Sequence, residues 1–252
     1  MHHISSSNGF ILATQPNFRD LGGIPVAGGK CLRHGMVFRS GDLSGLDAGD
    51  VALLEAMKLR SIVDFRSDRE VEKRPDVPIG TVVNRFHFPI EDAAREMAVR
   101  MFEERDAEGL RNLLTGDYRR MISGHSGAFR DFFRIVSEPE NYPLVFHCAA
   151  GKDRTGMAAW FLLSALGTPE ELIRRNYNET NHFTREFADR MVRKTNEKGL
   201  HGELLRPMLE VRDEYIDAAL EVVDKEFGGM ERYLRDELQI NPARLQFLVS
   251  GL

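Results

Sequence analysis

The spacing of apolar residues changes rhythm around residue 147. Leu144-Val145-Phe146 is a short unbroken apolar run with the make-up of a buried strand, and it stops at His147. From Thr155 onward, Met157 to Leu166 is apolar on nearly every face, which predicts a core helix closed by Gly167. Cys148 to Arg154 is then a tight loop between a strand end and a helix start. Upstream, Gly22-Gly23 and Gly28-Gly29 before Cys31-Leu32 predict a small hairpin, with Met36-Val37-Phe38 as a strand. Val51, Leu53, Leu54 and Met57 behind Asp47 predict an amphipathic helix with an acidic N-cap. Ile62-Val63 reads as a strand ending at Asp64-Phe65-Arg66, and Thr81 to Phe88 as another ended by Pro89. Between Glu91 and Glu138 the apolar spacing predicts several helices with breaks at Gly109, Gly116 and Gly124. Beyond Gly167, helices are expected over 169–179, 181–197, 203–210, 212–227, 229–238 and 242–250.

Together these periods predict an α/β fold, a mixed sheet of roughly four or five strands flanked by many helices. A length of 252 residues suits one domain, taken as 15–252 behind a flexible segment 1–14. With 29% charged residues and no apolar run near eighteen residues, no membrane-spanning helix is expected. The net charge of −5, with basic residues scattered among acidic ones, argues against nucleic acid as a partner, so any attraction for phosphate is local. Cys31 and Cys148 do not make a disulfide framework, Cys31 reads as structural, and a reducing compartment is the simpler expectation. The N-terminus lacks the basic start and long apolar core of a secretory signal, which points to the cytoplasm.

The loop carries the chemistry. Amides of a strand–loop–helix turn point inward and join the positive end of the helix dipole, so the hollow formed by Ala149, Ala150, Gly151, Lys152, Asp153 and Arg154 suits an anion, phosphate above all. Cys148 at its edge is placed to be a thiolate; comparable sites titrate at about 3.5–7.5. Arg154 offers a planar fork for two phosphate oxygens, which lysine cannot match. Thr155 follows with a hydroxyl to donate to the Cys148 sulfur as it leaves. Gly151 and Gly156 permit the turn and the close backbone approach. Strand alternation turns the His147 ring away from phosphate, so a structural hydrogen bond is expected of it. Lys152, inside the loop, is expected to meet a second phosphate or the rim of an anionic substrate.

His147-Cys148-x5-Arg154-Thr155-Gly156 resembles the signature of cysteine-dependent phosphatases, and Gly151-Lys152-Asp153-Arg154-Thr155 is similar to the bacterial tyrosine and lipid phosphatases. The resemblance extends to Asn17-Phe18-Arg19-Asp20-Leu21-Gly22-Gly23, Phe38-Arg39-Ser40, Asp64 to Glu70, and the tail from Gly228-Gly229 to Tyr233-Leu234. It implies a protein-tyrosine-phosphatase-like fold of the dual-specificity type, a phosphocysteine intermediate, and helices covering the site, here around 176–208 as a lid. Some relatives are exported without a recognisable signal. Asp153 is the first choice for general acid, as the loop aspartate of such phosphatases is implicated in catalysis. Glu91 and Asp92 are alternatives weakened by Phe88-Pro89-Ile90 where relatives have Phe-Pro-Asp, and Asp64 is a third, better suited to holding Arg66 or the loop. Arg19, Asp20, Arg66 and Arg69 are candidate supporting groups.

No zinc-ligand spacing or glycine-rich nucleotide motif occurs, so no cofactor and no metal are implied. The substrate is expected to be a phosphorylated protein or a phosphoinositide, with the choice among phosphotyrosine, phosphoserine or threonine and inositol lipids open. Oligomeric state is also open. A phosphate-binding module without turnover, or arsenate reduction or sulfur transfer by the same loop, are the alternative readings.

Overall fold

The computed structural model describes residues 12–91 and 101–251. Its main sheet has five strands in the order β1-β4-β7-β5-β6: β1 Arg19–Asp20, β4 Val37–Ser40, β7 Leu144–His147, β5 Ser61–Asp64 and β6 Asn84–His87. The edge strand β1 runs antiparallel to β4, and the other pairs are parallel. Strands β4, β7 and β5 are buried along their whole length, as parallel strands covered on both faces must be. Val37, Val63, Leu144 and Phe146 face the large core on one side, while Phe38, Ile62 and Val145 face a smaller one on the other. Register aligns the strand ends, so that Ser40, His147, Asp64 and His87 form one row. Ligand sites of open α/β sheets lie beyond such a row of carboxyl ends.

A second sheet joins the hairpin β2 Pro25–Val26 and β3 Lys30–Leu32 to the C-terminal β8 Val249–Gly251. Helix α1, Ala48–Ala56, starts on the Asp47 side chain, which accepts from the Asp50 amide. Helix α2, Asp68–Lys73, opens with a Ser67/Glu70 capping box. Then come α3 Ala107–Gly124, α4 Ser126–Val136, α5 Asp153–Ala165, α6 Glu170–Glu197, α7 Arg206–Leu209 and α8 Asp213–Phe227. Helix α5 fills the centre of the large core, with Arg154 through Leu163 all buried. No helix among the described residues is long and apolar enough to cross a membrane.

Several boundaries differ from the sequence reading. Gly109 and Gly116 do not break a helix; α3 runs through both because Leu110, Tyr118, Met121 and Ile122 bury one continuous face. The expected helices 169–179 and 181–197 are the single α6, joined through a fully buried Thr180. The 242–250 helix is a 3₁₀ turn, Pro242–Leu248, that hands over to β8, and 229–238 ends in a π turn, Tyr233–Glu237. Within the stretch read as a lid, Asn176, Tyr177, Thr180, Thr184, Ala188 and Val192 are buried, so that part of 176–208 is core helix. Met97 and Asp92 lie outside the described residues.

Candidate active site

Strand β7 delivers His147 and then Cys148, which is 2% exposed, to the row of strand ends. The loop that follows is held by its carbonyls. Ala149 O accepts from the Asp42 amide (3.0 Å), Ala150 O from Asn17 Nδ2 (2.7 Å), and Gly151 O from Arg39 Nη2 (3.0 Å). Three successive carbonyls drawn outward turn the intervening amides inward, the arrangement of an anion-binding nest. The Ala150, Gly151 and Lys152 amides donate to nothing among the described residues. Gly151 adopts φ +68°, and a Cβ there would lie 2.4 Å from Ser40 O, so only glycine lets the loop rest on the end of β4. Asp153 begins α5, which adds the positive end of a thirteen-residue helix.

Arg154 is fixed before any ligand arrives. Nη1 donates to Glu70 Oε2 (2.6 Å) and Nη2 to Oε1 (3.0 Å), with the Ile90 and Phe65 carbonyls at 3.1 and 3.3 Å. Glu70 in turn accepts from the Ser67 amide, so a helix cap aims the carboxylate that sets the guanidinium plane. Burial pushes the Glu70 carboxyl up, but Arg154 outweighs it and holds the group below its ordinary value. One end of the Arg154 fork is thus bidentate to a carboxylate, a partner that the sequence reading did not name.

The Thr155 hydroxyl is buried and has no hydrogen-bond partner, as is that of Ser40, the residue paired with His147 across the strands. No hydrogen bond joins the Thr155 hydroxyl to the Cys148 sulfur in this structure. Asp153 Oδ1 accepts from the Tyr118 hydroxyl (2.6 Å) and lies 3.1 Å from Lys152 Nζ, and Tyr118 meets the Tyr177 hydroxyl at 2.8 Å. Lys152 departs from expectation. Its side chain is 4% exposed and donates to Glu210 O (3.2 Å), so the ammonium ties the loop to the segment before α8 and does not reach out to a second phosphate.

His147 is fully buried, its Nδ1 3.3 Å from Cys148 O and its Nε2 3.1 Å from Asp76 Oδ2, an ion-pair contact without hydrogen-bond alignment. Burial lowers its pKa, but Asp76 and Asp64 overcome that and raise it above the ordinary value. Asp64 gives both oxygens to Arg66, which also reaches Asp76 (2.8 Å); this fits the holding role and removes Asp64 as an acid. Ligand atoms of Asp64, Asp76 and His147 lie within 4.8 Å of one another, yet the Arg66 guanidinium already supplies the cation there. Arg19 is buried beneath the loop, donating to the Asn17 side chain, Asn176 O and Thr180 Oγ1. Asp20 is a correction: its carboxylate takes the Gly22 and Gly35 amides, a turn-holding duty separate from the loop. Arg69 and Glu91 are exposed.

Sequence reasoning missed Asn17, Arg39, Glu70, Asp76, Tyr118 and Asn176. Ser67-x-x-Glu70 carried a readable capping-box signal, and Asn17 and Arg39 sit inside motifs that the resemblance covers. Asp76 and Asn176 left no local trace.

Comparison with known proteins gives the family. The tyrosine phosphatase family model matches residues 11–252. A Cupriavidus necator protein provisionally named a tyrosine-protein phosphatase is 34% identical over 238 residues, 92% of this chain and 85% of its own. The Mycobacterium tuberculosis triple specificity protein phosphatase PtpB is 30% identical over 259 residues, 87% of this chain and 90% of its own. Among solved structures, P. aeruginosa TpbA aligns at 16% identity over 77% of this chain and 91% of that one, with a TM-score of 0.30. The chain belongs to the tyrosine phosphatase family and is a hydrolase.

Proposed function

We propose that the protein hydrolyses phosphomonoesters, phosphotyrosine first among them, through a phosphocysteine intermediate on Cys148. The observation that carries this is the loop itself: three carbonyls pinned outward, amides free inward, a cysteine at one end and an oriented arginine at the other. The Cys148 sulfur attacks phosphorus in line as the bond to the leaving oxygen breaks, while the loop amides and Arg154 stabilise the equatorial oxygens. Asp153, its Oδ1 steadied by Tyr118, gives its proton to the leaving oxygen. Water then attacks phosphorus, its proton returns to Asp153, the S–P bond breaks, and Thr155 donates to the departing sulfur. The name of the M. tuberculosis relative, which states triple specificity, supports including phosphoserine, phosphothreonine and phosphoinositide substrates in the test.

The test is phosphate release from p-nitrophenyl phosphate, a phosphotyrosine peptide, a phosphoserine peptide and a phosphoinositide panel, with chelator present. The expected result is turnover that survives chelation and is lost in Cys148→Ser. Equal rates in native protein and Cys148→Ser would reject the intermediate; phosphate binding without turnover on any ester would favour a binding module.

A further inference from the structure

Two guanidinium groups lie beneath the loop, and no carboxylate among the described residues touches either. Arg39 is fully buried on β4, donating to Gly151 O (3.0 Å) and Asn176 Oδ1 (2.7 Å), with Nε buried and unpartnered. Arg19, 5% exposed on β1, donates only to Asn17, Asn176 O and Thr180 Oγ1. All these acceptors are neutral. The other two arginines around the site are matched, Arg66 by Asp64 and Asp76, and Arg154 by Glu70. Buried charges are ordinarily paired, because transfer from water without a counter-charge is strongly disfavoured. Burial accordingly draws Arg39 down to about 10 and Arg19 well below its ordinary value, the latter helped by Arg39.

We propose that Arg39, backed by Arg19, is a positioning residue for the nucleophile, and that its missing counter-ion is the Cys148 thiolate: Arg39 pairs with Phe146 across β4 and β7, on the face of the sheet that Val37, Phe146 and Cys148 share. The fold then holds a cation that is balanced when the sulfur is ionised. The same guanidinium fixes the Gly151 carbonyl, so the loop shape and the sulfur charge are set by one side chain. The inference rests on Cys148 being the nucleophile proposed above. The ionisable groups packed around Arg39 and the sulfur are His147 from β7, Arg19 from β1, Tyr118 from α3, and Tyr177 and Glu179 from α6. Lys152 and Asp153, paired with each other, and Arg154, paired with Glu70, complete the set from the loop and α5. Of these, Glu179 alone is an acid set against the arginine pair, half-buried and in contact with neither.

Iodoacetamide alkylation of Cys148 across pH, followed by peptide mass spectrometry to separate it from Cys31, reads the thiolate without turnover. Arg39→Met is expected to raise the midpoint by about one unit, since a nearby opposite charge shifts a pKa by about 1–3. The alkylation rate well below the midpoint then falls about tenfold. Arg39→Lys, which keeps the charge, recovers most of that shift. Glu179→Gln, which removes the opposing acid, moves the midpoint down. A purely structural Arg39 would lower the melting temperature in Arg39→Met and leave its midpoint in place, and that result overturns the proposal. If circular dichroism shows Arg39→Met unfolded, Arg39→Gln decides in its place: a raised midpoint supports the proposal and an unmoved one overturns it. Failure of the phosphatase reading would appear separately, as absent turnover with the alkylation profile intact.

Discussion

His147, beside the loop cysteine, is a histidine that the fold seals completely. Its ring is sealed between Cys148 O and the Asp64–Asp76 carboxylates, and those carboxylates keep its pKa above the ordinary value against the opposing effect of burial. A group whose pKa is raised on folding contributes stability in full below its unfolded value, about 6.5, and that contribution fades as pH climbs through the folded value. Native protein is therefore expected to lose melting temperature as pH rises above about 6.5. In Asp76→Asn that loss should shrink, because asparagine cannot hold the imidazolium. Asp76 itself titrates below its ordinary value, so its own contribution is constant over that range and does not confuse the reading. A pH–melting profile with the same slope in both proteins would refute the linkage. Cys148 and Arg154 were legible because a loop motif is local: strand, cysteine, glycine, arginine and helix stand within fifteen residues. Asp76 was not, because it meets His147 only through tertiary folding of the segment after α2.

The helix α5 carries a comparable constraint. Gly156 sits in its first turn, where alanine would ordinarily favour a helix by about 1 kcal/mol. A Cβ there would lie 3.2 Å from the Tyr177 ring and 3.7 Å from Arg39 Nη2, and both groups are fully buried. The ring of Tyr177 also anchors its hydroxyl on Tyr118, which holds Asp153. Gly156→Ala is therefore expected to reverse the propensity gain and destabilise by about 1–3 kcal/mol, the cost of overpacking. Denaturant melts measure this, and a variant more stable than native would show that Tyr177 yields freely. The sequence pattern located α5 and the three central strands because each is an unbroken apolar run buried on all sides, and α8 because it buries one regular apolar face. It failed where glycine or polarity was weighed above that face. Gly109 and Gly116 ride inside α3, and α6 passes through Thr180 because its neighbours, not its own composition, demand a long buried helix.

The fold places the loop at the meeting point of four strand ends, one long helix and the start of α5, so a ligand there touches most of the molecule's load paths. Three loop amides have no acceptor among the described residues, and the Arg154 guanidinium stands at the loop's end. An anion that answers those donors binds the folded chain alone, since the nest does not exist in the unfolded one. Mass action then gives about 2.7 kcal/mol of added stability at one hundred times Kd. For a chain of this size each kcal/mol moves the melting temperature by about 2–4 °C, so saturating inorganic phosphate is expected to raise it by roughly 5–10 °C. Sulfate should act in the same direction, and an equal ionic strength of chloride should not, because the effect depends on oxygens facing the amides. Arg154→Met removes the cation at the loop's end and should reduce the phosphate shift to a small fraction of the native one. A phosphate shift of equal size in Arg154→Met would place the bound anion elsewhere, which calorimetry at the loop variants would then have to locate. The dependence runs through the whole domain because Asn17, Arg39, Glu70 and Asn176, drawn from a turn, a strand and two helices, are what hold the donors in place.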